Sequence, residues 1–180
     1  MAELILQVRS MANAGTADIV IAGTTYHTDD QIQSTLDRHR EQIERETLAI
    51  AMDYQNGTPV YTRYQWSEPN VERSTSGSAA WKIQNGAGSV YAGSAGTAAA
   101  DYSVNYDARE ITFNSDTNGT TYYLTYRSYD LERAAADVWE DQAAYVAAGF
   151  DVRTDNHDLN RSELRQSYLD MAKSFKKRAK

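Results

Sequence analysis

Apolar residues recur at helical spacing in the stretch Tyr129 to Phe150, which reads YDLERAAADVWEDQAAYVAAGF. Asp130 suits the N-cap, because its carboxylate can accept a hydrogen bond from a first-turn N–H, and Gly149 suits the stop. Two adjoining stripes of this helix are apolar and only a narrow edge is charged. We therefore expect the helix to pack against another subunit as well as its own chain. The residues predicted for subunit packing are Trp139, Ala143, Ala147 and Phe150.

The same spacing predicts three further helices. The first spans Glu3 to Ala12. The second begins at Thr28, which has capping-box spacing with Gln31, and its apolar face continues as far as Ile43. The last begins near Asn160. Its apolar stripe consists of Leu164, Tyr168, Met171, Ala172 and Phe175.

Between the second helix and Tyr129 the period changes from 3.6 to 2, which is typical of strands. Two alternating runs flank Asn56-Gly57, a pair that favours the positive φ angles of a tight hairpin. Similar hairpins are predicted around Asn85-Gly86 and Asp107-Ala108, and Thr120 to Arg127 adds a strand. The fold class predicted is α+β. A helical domain of about four helices, residues 1–46 and 128–180, carries an inserted antiparallel β domain, residues 47–127, that forms a small sandwich or barrel.

One segment of the β domain, Ser74 to Ala100, differs in composition from the rest. Twenty of its 27 residues are Ser, Thr, Gly or Ala, which offer little apolar surface to bury. We expect a mobile arm, residues 74–100, with one short hairpin anchored by aromatic side chains.

Composition narrows the range of functions. The 180 residues carry a net charge of −7 and no cysteine, which excludes disulfides, thiol catalysis and cysteine-bound zinc. No apolar run approaches the roughly 20 residues of a membrane span, and the first residues lack the features of a secretion signal. We expect a soluble protein, made in a cytoplasm, with no membrane partner. An acidic chain is a poor general binder of nucleic acid, but it can line a path along which DNA slides without adhering.

The sequence contains only weak indications of a catalytic or metal-binding site. There is no nucleophile elbow, phosphate-binding loop or dinucleotide fingerprint, so we predict no enzyme and no cofactor. His39 lies on an apolar helix face, where a packed or interface histidine is favoured over a metal ligand. For Asp151 to Leu159 a solvated turn is favoured over a calcium or zinc site. A solvated helix edge also accounts for Glu140 and Asp141 better than acid–base chemistry does.

The last eight residues, KSFKKRAK, carry five positive charges and no acid. A basic helix end is favoured by the helix dipole alone, so simple termination explains the pattern. A docking tail explains it equally well.

The chain resembles the head-to-tail connector, or adaptor, proteins of long-tailed bacteriophages and related viruses. The resemblance extends nearly from end to end. It is carried by the alanine-rich helix opened by Tyr129-Asp130-Leu131, by the Arg161-Ser162 start of the last helix, and by YSVNYDAREITF, Tyr102 to Phe113. Where the family often has a glycine in the turn of that last motif, this chain has Arg109.

The resemblance implies a virion structural protein of the neck, assembled in the host cytoplasm. Such a protein forms a ring, usually of twelve copies, below the portal of the capsid. The tail-side neck or tail terminator protein binds beneath it, and DNA passes through the ring without specific binding. The resemblance also implies that the C-terminus reaches the portal. The residues predicted for portal binding are Phe175, Lys176, Lys177, Arg178 and Lys180.

Two other classes remain as alternatives. The first is a β-sandwich binding module for glycan or protein on a helical stem, in which some of the 13 tyrosines stack on sugars. Tyrosines that fill half-buried strand positions are the simpler explanation. The second is a DNA-mimic inhibitor, which only the acidity suggests.

Overall fold

The computed structural model describes residues 1–13, 19–21, 24–73, 81–86, 90–91, 102–147, 152–154, 157–159 and 161–179. The chain forms two compact units. The helical unit is Met1–Arg40 with Tyr129–Lys180, and the β unit is Glu41–Ser128. Four helices and antiparallel sheets make up these units, so the predicted α+β class is confirmed.

The elements follow one another in this order: α1 (Ala2–Met11), β1 (Ile19–Ile21), β2 (Thr24–Tyr26), α2 (Asp29–Arg38), β3 (Arg40–Thr47), β4 (Ala49–Gln55), β5 (Thr58–Gln65), β6 (Trp81–Asn85), β7 (Val90–Tyr91), β8 (Tyr102–Asn105), β9 (Glu110–Phe113), β10 (Tyr122–Tyr129), α3 (Leu131–Ala147), β11 (Val152–Thr154), β12 (His157–Leu159) and α4 (Arg161–Arg178).

Helix α2 begins where the sequence predicts and ends earlier. The Thr28 side chain accepts from the Gln31 N–H at 3.3 Å and the Gln31 side chain accepts from the Thr28 N–H at 3.1 Å, which completes the capping box. The helix stops at Arg38, and the predicted continuation through Ile43 is wrong. Residues from Arg40 onwards form β3, which lies next to β10 in a sheet. Strand pairing with a distant segment overrides the local helical spacing. The boundary between the two units therefore lies at residue 40 rather than at residue 46.

The helical unit is built around α3. Three consecutive alanines of this helix, Ala134, Ala135 and Ala136, are fully buried, because small side chains let neighbouring helices approach closely. The core also receives apolar residues from α1, α2 and α4. These residues include Leu4, Ile5, Val8, Ile32, Leu36, Val138, Trp139, Ala172 and Phe175.

The described strands of the β unit form two four-stranded sheets with the orders β3-β10-β6-β7 and β4-β5-β9-β8. Neither sheet closes into a barrel among the described strands. Both sheets contribute to one apolar core: Tyr122 of β10 lies edge-on to Tyr64 of β5, with ring centroids 5.1 Å apart, and stacks on Phe113 of β9 at 4.5 Å. The sheets therefore face each other as a sandwich does.

Two predicted hairpins have the expected turn geometry. Asn56 and Gly57, between β4 and β5, have φ angles of 51° and 81°, as a primed turn requires. Between β8 and β9 it is Arg109 that has a positive φ, 55°. The arginine thus adopts a backbone conformation that glycine adopts at lower cost.

The low-burial interpretation of residues 74–100 is wrong for strand β6. This strand lies inside a sheet, between β10 and β7, and its Trp81 and Ile83 are 6% and 0% exposed. The predicted pairing across Asn85-Gly86 is present, with Ile83 opposite Tyr91. The predicted hairpin is thus part of a sheet, and two side chains of its first strand belong to the core. The rest of the predicted arm, apart from residues 81–86 and 90–91, lies outside the described residues.

Candidate functional site

Three of the residues predicted for subunit packing, Trp139, Ala143 and Ala147, lie on α3, and the first two are buried within one chain. Trp139 is 7% exposed, its indole N–H donates to the Met11 carbonyl at 3.3 Å, and its ring lies 5.2 Å from that of Tyr168. Ala143 is 2% exposed. Helices α1 and α4 of the same chain pack against α3 here, so these two residues offer almost no surface to another subunit. Ala147 is exposed, and Phe150 lies outside the described residues.

The basic end of α4 packs against α3. Phe175 is 6% exposed and belongs to the core of the helical unit, and the Arg178 guanidinium lies 4.3 Å from the centre of its ring. Arg178 also lies 3.3 Å from Glu132. The Lys176 ammonium lies 2.7 Å from Glu140.

This arrangement corrects the prediction that Phe175 binds the portal, because its ring is buried in the core of its own chain. Part of the positive charge of the last eight residues is balanced by acidic residues of α3. Lys177 remains exposed, and Lys180 lies outside the described residues.

His39 has the packed role favoured from the sequence. It is the C-cap residue of α2, and its Nε2 lies 2.8 Å from a carboxylate oxygen of Asp137 on α3. The Arg38 guanidinium lies 3.4 Å from the same oxygen. Over the described part of the chain, no cluster of three or more His, Asp or Glu residues could hold a metal ion.

A cavity of about 300 Å³ lies between α2 and α3 in the helical unit. At its wall His27 is 5% exposed and has a φ of 58°, a conformation that is uncommon for residues other than glycine. Its ring lies edge-on to that of Tyr145, with centroids 6.1 Å apart. The Nε2 atom of His27 is buried and has no hydrogen-bond partner. The other polar residues at the wall are Gln31, Ser34, Thr35, Arg38 and Asp141.

The pKa values of two ionisable groups at the cavity are shifted from their usual values. Burial lowers the pKa of His27, an effect that the charge of Asp141 opposes and that Arg9 reinforces. Burial also raises the pKa of Asp141, against the favourable charges of His27 and Arg38. His27 is therefore neutral at pH 7, beside the exposed side chain of Asp141.

Acidification should destabilise the protein through His27. Since the folded pKa is depressed, the unfolded chain binds more protons once the pH falls below about 6.5, and stability is lost as the pH falls toward the folded pKa. One such proton contributes at most about 1.4 kcal/mol per pH unit. Urea unfolding at several pH values checks this against His27→Asn, since asparagine tolerates a positive φ and does not titrate. We expect a smaller loss for the variant between pH 7 and 5, and equal losses would contradict the assignment.

The sequence did not single out His27 as a site residue. It directly precedes the Thr28 cap, and no periodicity marks it as buried. Its unusual φ and its contact with Tyr145 depend on a helix more than a hundred residues away.

Strand β4 of the β unit carries large apolar side chains that remain exposed to solvent. The alternating run Leu48, Ile50, Met52 and Tyr54 was predicted as one strand face, and only Leu48 is buried. Ile50, Met52 and Tyr54 are 41%, 47% and 63% exposed, and we call these three residues the β4 face.

Four tyrosines of the β unit that the sugar-binding alternative needs at the surface are core residues. Tyr64, Tyr102, Tyr122 and Tyr126 are each 5% exposed or less. The structure thus favours tyrosine as a filler of strand positions.

No protein-family model, curated protein or solved structure significantly matches the chain. Among the described residues, no helix combines the length and apolar character needed to cross a membrane.

Proposed function

We propose that this protein is a virion adaptor, which forms a ring that joins the portal of a viral capsid to the tail and lines the DNA channel. The observation that carries the proposal is the β4 face, a row of three large apolar side chains left uncovered on an edge strand. Large apolar side chains that remain exposed at several positions of one strand are typical of protein interaction sites. The resemblance of the whole chain to head-to-tail connector proteins indicates which kind of assembly it serves.

The two edge strands joined at Leu48 differ in a way that supports assembly through β4. Strand β3 reads REQIERET, and its many charges discourage pairing with another sheet. Strand β4 reads AIAMDYQ, and its one charge, Asp53, lies 3.2 Å from Arg63 of the neighbouring strand. An edge with apolar side chains and a neutralised charge can accept another subunit at little electrostatic cost.

The charge of the chain is compatible with a channel. With a net charge of −7, the ring presents DNA with a wall that repels phosphates and does not retain them. The partners in this proposal are the portal protein, a tail-side neck or tail terminator protein, and further copies of the chain, twelve in the rings of the resembling family.

Sedimentation velocity and negative-stain imaging with the cognate portal test the proposal. We expect wild-type protein to form rings on the portal, and we expect the double variant Ile50→Ser, Met52→Ser to remain folded and monomeric. Gln55→Ser, an exposed polar position on the same strand, is the matched control and should assemble normally. Wild-type protein that neither self-associates nor binds the portal would refute the adaptor function. Unchanged rings in the double variant would place the interface elsewhere.

A further inference from the structure

The cavity between α2 and α3 holds polar groups that the proposed adaptor function does not use. Arg38, which lines it, is already engaged, since its guanidinium donates to the Thr35 hydroxyl at 3.1 Å and lies 3.4 Å from Asp137. Asp137 is in turn bonded to His39. The positive charge at the cavity is thus neutralised by a neighbouring carboxylate.

Asp141 has no such partner. Among the described residues, no side chain donates a hydrogen bond to its carboxylate or lies within ion-pair distance of it. The buried His27 Nε2, at the same cavity, also lacks a hydrogen-bond partner. Asp141 is exposed to solvent, so the buried His27 Nε2 is the polar atom that needs a partner. Buried polar atoms are normally satisfied by protein, water or a ligand.

We propose that this cavity binds a primary ammonium or guanidinium group. A neutral imidazole with its proton on Nδ1 presents Nε2 as an acceptor, and the Asp141 carboxylate accepts as well. A cation with several N–H donors satisfies the His27 Nε2 acceptor and forms an ion pair with Asp141. Ile32 and Val138 on the wall are apolar and suit the alkyl stem of such a group.

The size and the donor set favour an organic cation. A volume of about 300 Å³ is at the lower end of small-molecule sites, enough for an alkylammonium or alkylguanidinium head group with its stem. One carboxylate and one imidazole are too few protein ligands for a typical zinc site, and the described residues contain no three-residue cluster for a metal. The group can come from a free amine or from a lysine or arginine side chain of another copy of this chain. Both sources present the same chemistry.

NMR titration of ¹⁵N-labelled protein with n-butylammonium and with methylguanidinium, at constant ionic strength, tests the site. We expect saturable shifts of the amides around His27 and Asp141 in wild-type protein. Asp141→Asn should weaken binding by about tenfold or more, because it replaces a charge-assisted acceptor with a neutral amide of the same shape. His27→Asn should also weaken binding. Glu140→Gln, an exposed acid of the same helix that pairs with Lys176, should bind as wild type does.

Tetramethylammonium, a cation without N–H donors, separates hydrogen bonding from simple charge attraction and should not produce saturable shifts. Absence of saturation with both probes, or equal binding by Asp141→Asn in a folded state confirmed by circular dichroism, would overturn the proposal. Sedimentation of wild-type and Asp141→Asn protein then distinguishes the sources. Weaker self-association of the variant identifies a side chain of a second copy, and unchanged self-association identifies a free amine. Because the probes are small molecules, this site stands or fails independently of portal binding.

Discussion

Phe175→Ala should lower the free energy of unfolding of the helical unit by about 3–5 kcal/mol, because truncating a buried aromatic ring removes apolar burial and leaves a cavity. Phe175 is 6% exposed and lies in the core with Ala172 and the alanines of α3. The ring also supports Arg178, whose guanidinium lies over its face. Native-state hydrogen exchange of the α3 amides measures the loss of stability of the helical unit.

The matched control is Lys177→Ala, two positions along the same helix at an exposed site, where a change within about 0.5 kcal/mol is expected. If both substitutions had similarly small effects, Phe175 would not be a core residue, and the interpretation of this segment as a docking tail would be supported. The comparison also bears on portal binding. Removing Phe175 to Lys180 damages the core, so loss of portal binding after that truncation would not identify a contact, whereas Lys177→Ala leaves the fold intact and tests one directly.

Trp81→Ala should cost the β unit a similar amount, about 3–5 kcal/mol. Trp81 is 6% exposed, and its ring lies 5.4 Å from that of Trp66 and 5.5 Å from that of Tyr106. Aromatic neighbours at these distances add to the burial term. Hydrogen exchange of the amides of β10, which pairs with β6, reports the loss.

Lys82→Ala is the control for this variant, since successive strand residues point to opposite faces and Lys82 is only partly buried. We expect a small effect there. If Trp81→Ala were as mild as its control, the strand would be dispensable, as the interpretation of residues 74–100 as an arm required.

The ion pairs between α3 and α4 matter less for stability than these aromatic side chains. Lys176 with Glu140 and Arg178 with Glu132 are partly exposed pairs, and such pairs contribute roughly 0–1 kcal/mol each. They neutralise part of the positive charge of the last eight residues, and Lys177 remains exposed.

The sequence by itself determined the features that depend on a few neighbouring residues. The capping box of Thr28 and Gln31 formed as predicted, and Asp130 accepts from the Arg133 N–H at 3.0 Å as a helix cap does. Asn56-Gly57 formed its turn, and the strands on either side paired. These interactions span at most a few residues, so their energies can be read from residue type and spacing. The α+β class followed from the same local periods.

The tertiary structure decided what distant segments do to one another. Helix α2 stops at Arg38 because the following residues extend as β3 beside β10, and that pairing overrides the helical spacing of the sequence. Phe175 is part of the core because α3 presents a surface for it, and His27 lies at a cavity because α3 brings Asp141 and Tyr145 to the same wall. Periodicity states which face of an element is apolar. Which segment covers that face, and whether any does, depends on packing free energy shared among residues far apart in the chain.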